Sequence, residues 1–162
     1  MSESYFDTAQ ICLNGHVVST MLDFSPQSNQ KHCTECGSPT ITACPECDAR
    51  IRGYYHVPGF IGFFDYNKPA FCFNCGKPYP WTVNGLEAAS ELADELDGLS
   101  QEEKKQLKDS FPDLVSNTPK TIVSETRFKK LIKKAGSEAY VSMKSILVEI
   151  VTEAVKKSIF GT

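Results

Sequence analysis

The sequence predicts an α+β protein in which a small cysteine-rich β region precedes an all-helical region of about four helices. Two observations lead to this class. All seven cysteines fall within residues 12–75, and most of them come in C-x-x-C pairs. Beyond the segment 78–82 there are no cysteines, Ala, Leu, Glu and Lys dominate, and apolar residues recur at helical spacing. We therefore expect one domain over residues 1–82 and a second over residues 83–162.

The cysteines form a pattern that is typical of zinc ligands. One C-x-x-x-H pair and three C-x-x-C pairs supply the donors Cys12, His16, Cys33, Cys36, Cys44, Cys47, Cys72 and Cys75. Zn²⁺ takes four nitrogen or sulfur donors in a tetrahedron, and two cysteines separated by two residues reach one ion from a single tight turn. The donor set therefore predicts two Zn²⁺ ions per chain, each with a closed ligand shell that marks structural and not catalytic zinc.

Each C-x-x-C pair is expected to form a treble-clef-like knuckle. The residue after the second cysteine often takes a positive φ, which favours glycine, and Gly37 and Gly76 hold that place. Gly15 precedes His16 and would let the chain turn so that the imidazole faces the same ion as Cys12. The N-terminal domain should consist of tandem zinc ribbons made of short antiparallel β-hairpins and such knuckles.

The spacing leaves open which pairs share an ion. The arrangement that we favour is sequential, with the first four donors in one site and the last four in the other, because each half opens and closes with a similar knuckle. A nested arrangement would join Cys33, Cys36, Cys44 and Cys47 and leave the outer four donors together. A RING-like cross-brace is the third alternative.

Disulfides and a redox dithiol are the competing interpretations of the cysteines. Disulfides need an oxidising compartment, and the first residues show no basic region followed by an apolar stretch. A thioredoxin-like C-x-x-C occurs once in a βαβ context and not three times. No apolar run approaches the ~18 residues of a membrane helix. We therefore expect a cytoplasmic protein with reduced, metal-bound cysteines and without a transmembrane segment.

Outside the knuckles the N-terminal domain offers little from which to build a core. We interpret residues 1–10 as a short lead-in, residues 17–22 and 40–42 as short strands, and residues 25–30 as a polar loop. So small a region buries too little apolar area to offset its ordering entropy. We therefore expect that removal of zinc unfolds residues 11–78.

The insert at residues 50–71 is unusually aromatic. Proline and glycine punctuate it, which indicates a loop or hairpin and not a helix. The interpretation that we favour is a satellite core that packs the second ribbon onto the helical part. The alternative is an exposed platform for a peptide or for unpaired bases, formed by Tyr54, Tyr55, Phe60, Phe63 and Phe64.

The limits of the first two helices are marked in the sequence. Apolar residues at i, i+3 and i+4 spacing predict a first helix over residues 86–96, which Gly98 ends. Ser100 and Glu103 match a capping box for the second helix, which should end near Pro112.

Two further helices are predicted after residue 117. Thr118 and Pro119 indicate an N-cap and first position of a basic helix over residues 120–135. Gly136 would end that helix, and Ser137 would cap a long one that reaches about Ile159. A helix as apolar as the last one needs cover from the shorter helices or from a second subunit, so a homo-oligomer formed through it is one expectation.

Charge is unevenly distributed. The net charge of −3 counts against a general nucleic-acid binder, which needs a basic footprint. In the basic helix, however, Arg127, Lys130 and Lys134 lie opposite the apolar stripe. We expect a solvated face or a partner for the acidic first helices, and the alternative is a site for an anionic partner.

The ligand motifs resemble a known family. The matching segments are Ile11-Cys12-Leu13-Asn14-Gly15-His16, Ala43-Cys44-Pro45-Glu46-Cys47 and Phe71-Cys72 through Cys75-Gly76-Lys77-Pro78-Tyr79-Pro80-Trp81-Thr82. Together they resemble a family of uncharacterised bacterial zinc-ribbon proteins grouped as a domain of unknown function, over most of the chain. The resemblance implies a double zinc ribbon and a cytoplasmic bacterial setting, and it implies no activity.

The function that we favour is a non-enzymatic adaptor that binds a protein partner and carries two structural Zn²⁺ ions. The sequence has no glycine-rich phosphate loop, no H-E-x-x-H and no nucleophile elbow, so no enzyme is expected. Two alternatives stay open. One is a nucleic-acid-binding zinc ribbon that uses the basic helix 120–135 and the aromatic insert, and the other is a redox or metal-responsive thiol switch.

Overall fold

Five short β-strands form two antiparallel sheets in the computed structural model, which describes residues 2–162. β1 (Tyr5–Thr8) pairs with β5 (Arg52–His56), and β2 (Gln10–Cys12) lies between β3 (Val17–Ser19) and β4 (Thr40–Ile41). Isolated antiparallel bridges join His32 to Pro39, Ala43 to Arg50 and Phe71 to Pro78, and each closes a cysteine knuckle. The short hairpins predicted for the cysteine-rich region are confirmed.

The expectation that residues 1–10 are only a lead-in is wrong, because residues 5–8 form β1. Tyr5 lies opposite His56 and Phe6 opposite Tyr55. The ring centroids of these two pairs are 4.7 and 4.6 Å apart. Aromatic pairs of this kind stabilise two-stranded sheets, so the aromatic insert begins as a strand that holds the N-terminal residues.

A buried carboxylate fixes this strand to the following loop. Asp7 Oδ1 accepts hydrogen bonds from the N–H groups of Thr8 and Asp23 at 2.7 and 2.8 Å. Its Oδ2 accepts from the N–H of Phe24 at 3.3 Å and lies 2.9 Å from His56 Nε2. Burial raises the pKa of Asp7, but the His56 contact and the backbone N–H groups outweigh it and hold that pKa below its usual value.

The core around the second group of cysteines is small. It consists of Ala9, Ile11, Cys44, Ile51, Cys72, Tyr79 and Trp81. The rings of Tyr79 and Trp81 stack at 4.6 Å, and Trp81 Nε1 donates to the carbonyl of Pro69 at 2.9 Å. Because two cysteines belong to this cluster, the packing of the core and the placement of the ligands depend on each other.

The rest of the chain is helical. The helices are α1 (Pro80–Glu95), α2 (Gln101–Leu114), α3 (Thr121–Ala135), α4 (Ser137–Leu147) and α5 (Glu153–Val155), and a π-helical turn (Lys156–Phe160) follows. The chain divides into two compact units, the N-terminal unit up to Trp81 and the C-terminal unit from Thr82 onward. The predicted α+β class is confirmed. No helix within residues 2–162 has the length and apolarity to cross a membrane.

The C-terminal unit encloses a core of large apolar side chains. Those with almost no exposed surface are Leu107, Phe111, Leu114, Phe128, Met143, Leu147 and Val155. The Phe128 ring lies 6.5 Å from the ring of Phe111 and 6.1 Å, edge to face, from that of Phe160. The chain's central aromatic contact in this unit therefore joins α2, α3 and the closing turn.

The predicted start of α2 is confirmed, and its end lies slightly later than expected. The N–H of Glu103 donates to Ser100 Oγ at 3.2 Å, and the N–H of Ser100 donates to Glu103 Oε2 at 2.9 Å. The helix continues through Pro112 and ends at Leu114. A proline this close to the C-terminus removes one helical hydrogen bond without ending the helix.

The expected caps of α3 and α4 are wrong. Thr118 Oγ1 accepts from the N–H of Lys120 at 3.2 Å and so stabilises a turn, and α3 starts only at Thr121. Ser137 is the first residue of α4, whose N-cap is Gly136 with φ of 107°. One glycine thus ends α3 and begins α4, because its backbone adopts a conformation that other residues avoid.

The predicted long last helix is broken. α4 ends at Leu147, and Thr152 has extended backbone angles and N-caps the short α5 by accepting from the N–H of Val155 at 3.3 Å. Ile150 and Val151, within the break, are buried. The side-chain oxygen of Thr152 offers the backbone a new helix start, which competes with continuation of α4.

Candidate metal centres

Three of the four ligand pairs are built on the same turn. In each turn the residue after the second cysteine donates its N–H to the carbonyl of the first cysteine, at 2.8 Å for Gly37, 2.9 Å for Asp48 and 2.9 Å for Gly76. These residues have φ of 74°, 62° and 73°. The positive φ predicted for the two glycines is confirmed, and Asp48 adopts it without being glycine. The shared backbone turns both thiols of a pair to one side.

Backbone N–H groups also point at the sulfurs. The N–H of Glu35 lies 3.4 Å from Cys33 Sγ, and that of Asn74 lies 3.4 Å from Cys72 Sγ. In the first pair the N–H of His16 lies 3.3 Å from Cys12 Sγ. Donors in these positions stabilise a thiolate, which is the form that binds metal.

The first site contains Cys12, His16, Cys33 and Cys36, whose ligand atoms all lie within 4.8 Å of one another. Cys12 Sγ is 3.7 Å from Cys36 Sγ and 3.5 Å from His16 Nδ1, and Cys33 Sγ is 3.6 Å from the same nitrogen. His16 Nε2 faces Glu35 Oε2 at 3.6 Å. A carboxylate behind the second ring nitrogen is the usual orienting partner of a metal-binding histidine.

Gly15 gives this site its closed shape. Its φ is 91°, and a Cβ there would stand 2.9 Å from both Lys68 Nζ and Trp81 Cβ. Lys68 Nζ donates to the carbonyl of Gly15 at 2.9 Å. A larger residue at position 15 would have both the wrong backbone and no space, so the turn that carries His16 requires glycine.

The second site contains Cys44, Cys47, Cys72 and Cys75, again within 4.8 Å of one another. Cys44 Sγ is 3.7 Å from Cys75 Sγ, and Cys47 Sγ is 3.7 Å from Cys72 Sγ. The Asn74 side chain donates to Cys47 Sγ at 3.4 Å. The structure therefore has the sequential arrangement of ligand pairs, and not the nested or the cross-braced one.

Distances within both clusters fit a tetrahedral ion. Metal–sulfur bonds of about 2.3 Å and metal–nitrogen bonds of about 2.05 Å give tetrahedral edges of roughly 3.8 Å between sulfurs and 3.6 Å between sulfur and nitrogen. The distances above of 3.5 to 3.7 Å match these edges. They are far longer than a disulfide bond of about 2.05 Å, and all seven cysteines are free thiols. Each cluster could hold one metal ion of the size of Zn²⁺.

The thiols of the first site differ in acidity. Hydrogen bonds from the Asn14 side chain and then from Ser38 lower the pKa of Cys36 to about 5. Burial raises the pKa of Cys12, with the neighbouring thiols adding to the effect. The sequence had not identified Asn14 as a donor, although its place inside the C-x-x-x-H motif puts it within reach of the sulfurs.

The second site shows a similar contrast. The backbone N–H of Cys75 lowers the pKa of Cys72 to about 6. The N–H of Lys77 acts to lower the pKa of Cys75, but burial and the three neighbouring thiols outweigh it and raise that pKa to about 11. Four thiols so close together cannot all ionise without a cation, so a bound metal ion would release protons and satisfy all four.

The aromatic insert is exposed at its centre. Phe60 and Phe64 stack at 4.9 Å and are each 51% exposed, while Ile61 is 100% and Phe63 95% exposed. Tyr54 is half-buried, donates to the carbonyl of Gly62 at 2.6 Å and lies beside the partly exposed Tyr55. The expectation of a satellite core is wrong for residues 60–64, where the chain makes a tight loop with its apolar side chains outward.

The basic residues of α3 come together on one surface of the C-terminal unit. Arg127, Lys130 and Lys134 line a groove between α2 and α3, and Lys134 Nζ donates to Glu103 Oε1. The acidic partner expected from the first helices is therefore present for Lys134. The aromatic residues and the basic residues belong to different units.

Comparison with known proteins identifies a family. Residues 5–159 match the family described as "Uncharacterized protein conserved in bacteria (DUF2321)". The chain matches no curated protein and no solved structure.

Proposed function

The chain belongs to this bacterial family, and we propose that it is a non-enzymatic adaptor in which two structural Zn²⁺ ions stiffen a surface that binds a protein partner. The observation that carries the proposal is the pair of closed four-donor clusters in the same unit as an outward-facing aromatic loop. Each cluster would use all four of its donors on one ion. An ion with a filled shell contributes folding free energy and has no position for a substrate or a reactive water.

Zinc is the metal that the donor chemistry supports best. Seven of the eight donors are thiols and one is an imidazole, a soft set that suits a tetrahedral ion without redox chemistry. Hard cations such as Mg²⁺ and Ca²⁺ need oxygen ligands. Thiolates stay reduced in a reducing compartment, so the proposal places the protein in the cytoplasm.

The aromatic loop supports the adaptor role. Ile61 and Phe63 are almost fully exposed, and Phe60 and Phe64 stack beside them. Residues 57–64 contain no charged or hydrogen-bonding side chain. A contiguous apolar group on a surface is costly in water and is a common mark of an interaction site.

Elemental analysis tests the metal part of the proposal. We expect two zinc ions per native chain and one in each of the variants Cys12→Ser and Cys44→Ser. The control Thr34→Ala changes an exposed residue between two ligands and should keep two ions. One ion or none in the native protein would contradict the two-site proposal.

Site-directed photo-crosslinking in bacterial cells tests the adaptor part. The photoreactive analogue p-benzoylphenylalanine replaces Phe63, and a control chain carries it at the exposed Glu3. We expect discrete crosslinked proteins when the photoreactive residue is at position 63 and none when it is at position 3. Chains that carry it at position 63 together with Cys44→Ser should also give none. Equal or no crosslinking at the two positions would speak against the aromatic loop as a recognition surface.

A thiol switch is the second candidate, because Cys36 is exposed in the first site. Hydrogen peroxide would take up two electrons and two protons from the solvent and form two water molecules, while two thiolates of the site lose those electrons, join in a disulfide and release the metal ion. Thiol titration and measurement of zinc release, each with and without mild peroxide, test whether the site is a thiol switch. A site that keeps its zinc under all but denaturing conditions is not a switch.

A further inference from the structure

A groove lies between α2 and α3 in the C-terminal unit. Its volume is about 540 Å³. One side is formed by α3, with Ile122, Val123 and Leu131 as apolar residues, and the opposite side includes Glu103 and Gln106 of α2. The groove therefore combines apolar, polar and charged lining residues.

Apolar side chains in the groove are unusually exposed for a helix. Ile122 is 71% and Val123 54% exposed. Both are β-branched residues with only modest helix propensity, so helix formation alone does not favour them at these positions. The lining residues of α3 extend from Ile122 to Lys134, which at 1.5 Å per residue is roughly 18 Å. This length fits a docked helix of about three turns, the mode in which an amphipathic helix lays its apolar face into a groove.

Two of the three positive charges along the groove have no ion-pair partner within the described residues. Lys134 is engaged by Glu103, but within residues 2–162 neither Arg127 nor Lys130 forms an ion pair. The two residues are three positions apart on α3 and therefore lie on the same face. A docking helix would complement them with acidic residues one turn apart beside its apolar stripe.

From the groove's shape and charge we infer that it binds an acidic amphipathic helix of a partner protein. This inference rests on the proposed adaptor role and names the chemistry of a partner. It deepens that role with a second contact surface, located in the other unit from the aromatic loop.

Other occupants fit less well. No residue of the groove is aromatic, so unpaired bases would find no stacking surface, and phosphates would leave Ile122 and Val123 unused. A lipid surface needs a convex apolar face, whereas this one is concave and has Glu103 at its edge. A second copy of the chain is the closest competitor, because Glu87, Glu91 and Glu95 form an exposed acidic row on α1.

The test uses a defined probe and the zinc-loaded full chain. The probe is a fluorescein-labelled, hydrocarbon-stapled helical peptide of about four turns, with leucines on one face and glutamates along its border. A matched peptide carries lysines in place of the glutamates. Fluorescence anisotropy at low and high salt gives the affinities. We expect the acidic peptide to bind and the basic peptide to bind far more weakly.

Variants locate the binding. Lys130→Glu and Ile122→Ser should each weaken the acidic peptide by roughly tenfold or more. Lys133→Glu, which lies outside the groove at an exposed position, should leave its affinity unchanged. Lys130→Glu should also gain affinity for the basic peptide, a charge reversal that a misfolded variant would not show.

Two kinds of result would overturn the inference. One is peptide binding that is absent or insensitive to Lys130→Glu and Ile122→Ser. The other is binding of a different occupant that Lys130→Glu abolishes. A native dimer in sedimentation would mean that the groove holds a second copy of the chain, and retention of mixed-sequence oligonucleotides would mean that it holds a nucleic acid. Crosslinking from position 63 reports on the other unit, so failure of the groove and failure of the adaptor role are distinguishable.

Discussion

The two units of the chain differ in the side chains that form their cores. The N-terminal unit has strands of two to five residues, and its core cluster includes two cysteines of a candidate metal site. The C-terminal unit has helices of up to 16 residues and encloses full-sized phenylalanine and leucine side chains. In the first unit, cysteines of a candidate metal site pack among a few apolar side chains, whereas the core of the second unit contains no cysteine.

Buried polar groups follow the same division. In the N-terminal unit the buried Gln10 side chain donates to Asn29 Oδ1, Thr40 Oγ1 and the carbonyl of Gln30 at 2.9 to 3.0 Å and accepts from the N–H of Gln30. In the C-terminal unit the buried polar residues are only serines and threonines. Among the described residues, buried amide and carboxylate side chains thus occur in the N-terminal unit, where several hydrogen bonds hold each of them in place.

Removal of the metal should give the largest difference between the units. We expect a strong chelator to unfold the N-terminal unit, because structural zinc contributes on the order of 10–16 kcal/mol per site in small zinc domains. Helices α2 to α4 should keep their slow amide exchange, since their core contains no ligand. Hydrogen–deuterium exchange of the full chain, with and without chelator, measures both units at once. Simultaneous loss of protection in both would contradict the independence of the two units.

Loss of a buried side chain from the C-terminal unit should lower the stability of that unit alone. Phe128→Ala removes a fully buried ring and should lower the free energy of unfolding of the C-terminal unit by about 3–5 kcal/mol. Zinc content should remain that of the native chain. The matched control Val141→Ala changes a residue that is 61% exposed on α4, and its effect should stay within about 0.5 kcal/mol. Urea unfolding followed by helical circular dichroism gives these values.

A smaller effect is expected from the buried carboxylate of the N-terminal unit. Asp7→Asn should cost roughly 1.5–3 kcal/mol, because charged hydrogen bonds become neutral ones. The folded pKa of Asp7 is lowered, so its contribution is present above the unfolded pKa near 4 and is lost as the pH falls through the folded value. The difference from native should therefore be present at neutral pH and shrink as the pH falls below about 4. Asp65→Asn, at an exposed position, is the control for urea unfolding at each pH.

The sequence was most informative where chemistry constrains spacing. The C-x-x-C pairs and Gly37 and Gly76 are local, so the knuckles follow from a few neighbouring residues and from the geometry of a tetrahedral ion. The two small sheets were harder to predict from the sequence. β1 exists because Tyr5 and Phe6 meet residues about 50 positions later, and such long-range pairing leaves no local periodicity to recognise.

The predicted boundaries of the later helices were wrong for a related reason. Apolar spacing continues from α4 into Val155 and suggests one long helix, but Thr152 competes locally with an N-cap of its own. The exposure of the aromatic loop could also not be predicted from the sequence, because composition shows that residues are apolar and not whether they face the core or the solvent. Residues that serve binding are expected to break the rule that apolar side chains are buried.

The smallest effect concerns the three knuckle residues with positive φ. Asp48→Gly should raise zinc affinity, and Gly37→Ala and Gly76→Ala should lower it, because a left-handed conformation costs a residue with a Cβ about 1–2 kcal/mol and 1.4 kcal/mol is a tenfold change in affinity. A Cβ at either glycine would meet no atom within 4 Å, so the change is conformational and not steric. Competition with a chromophoric chelator measures it. Gly136, with φ of 107° and ψ of 174°, lies in a region that is essentially restricted to glycine, so Gly136→Ala should lower the unfolding free energy of the C-terminal unit and leave zinc affinity unchanged. A change in zinc affinity for that variant would mean that the metal sites and the helical core are coupled.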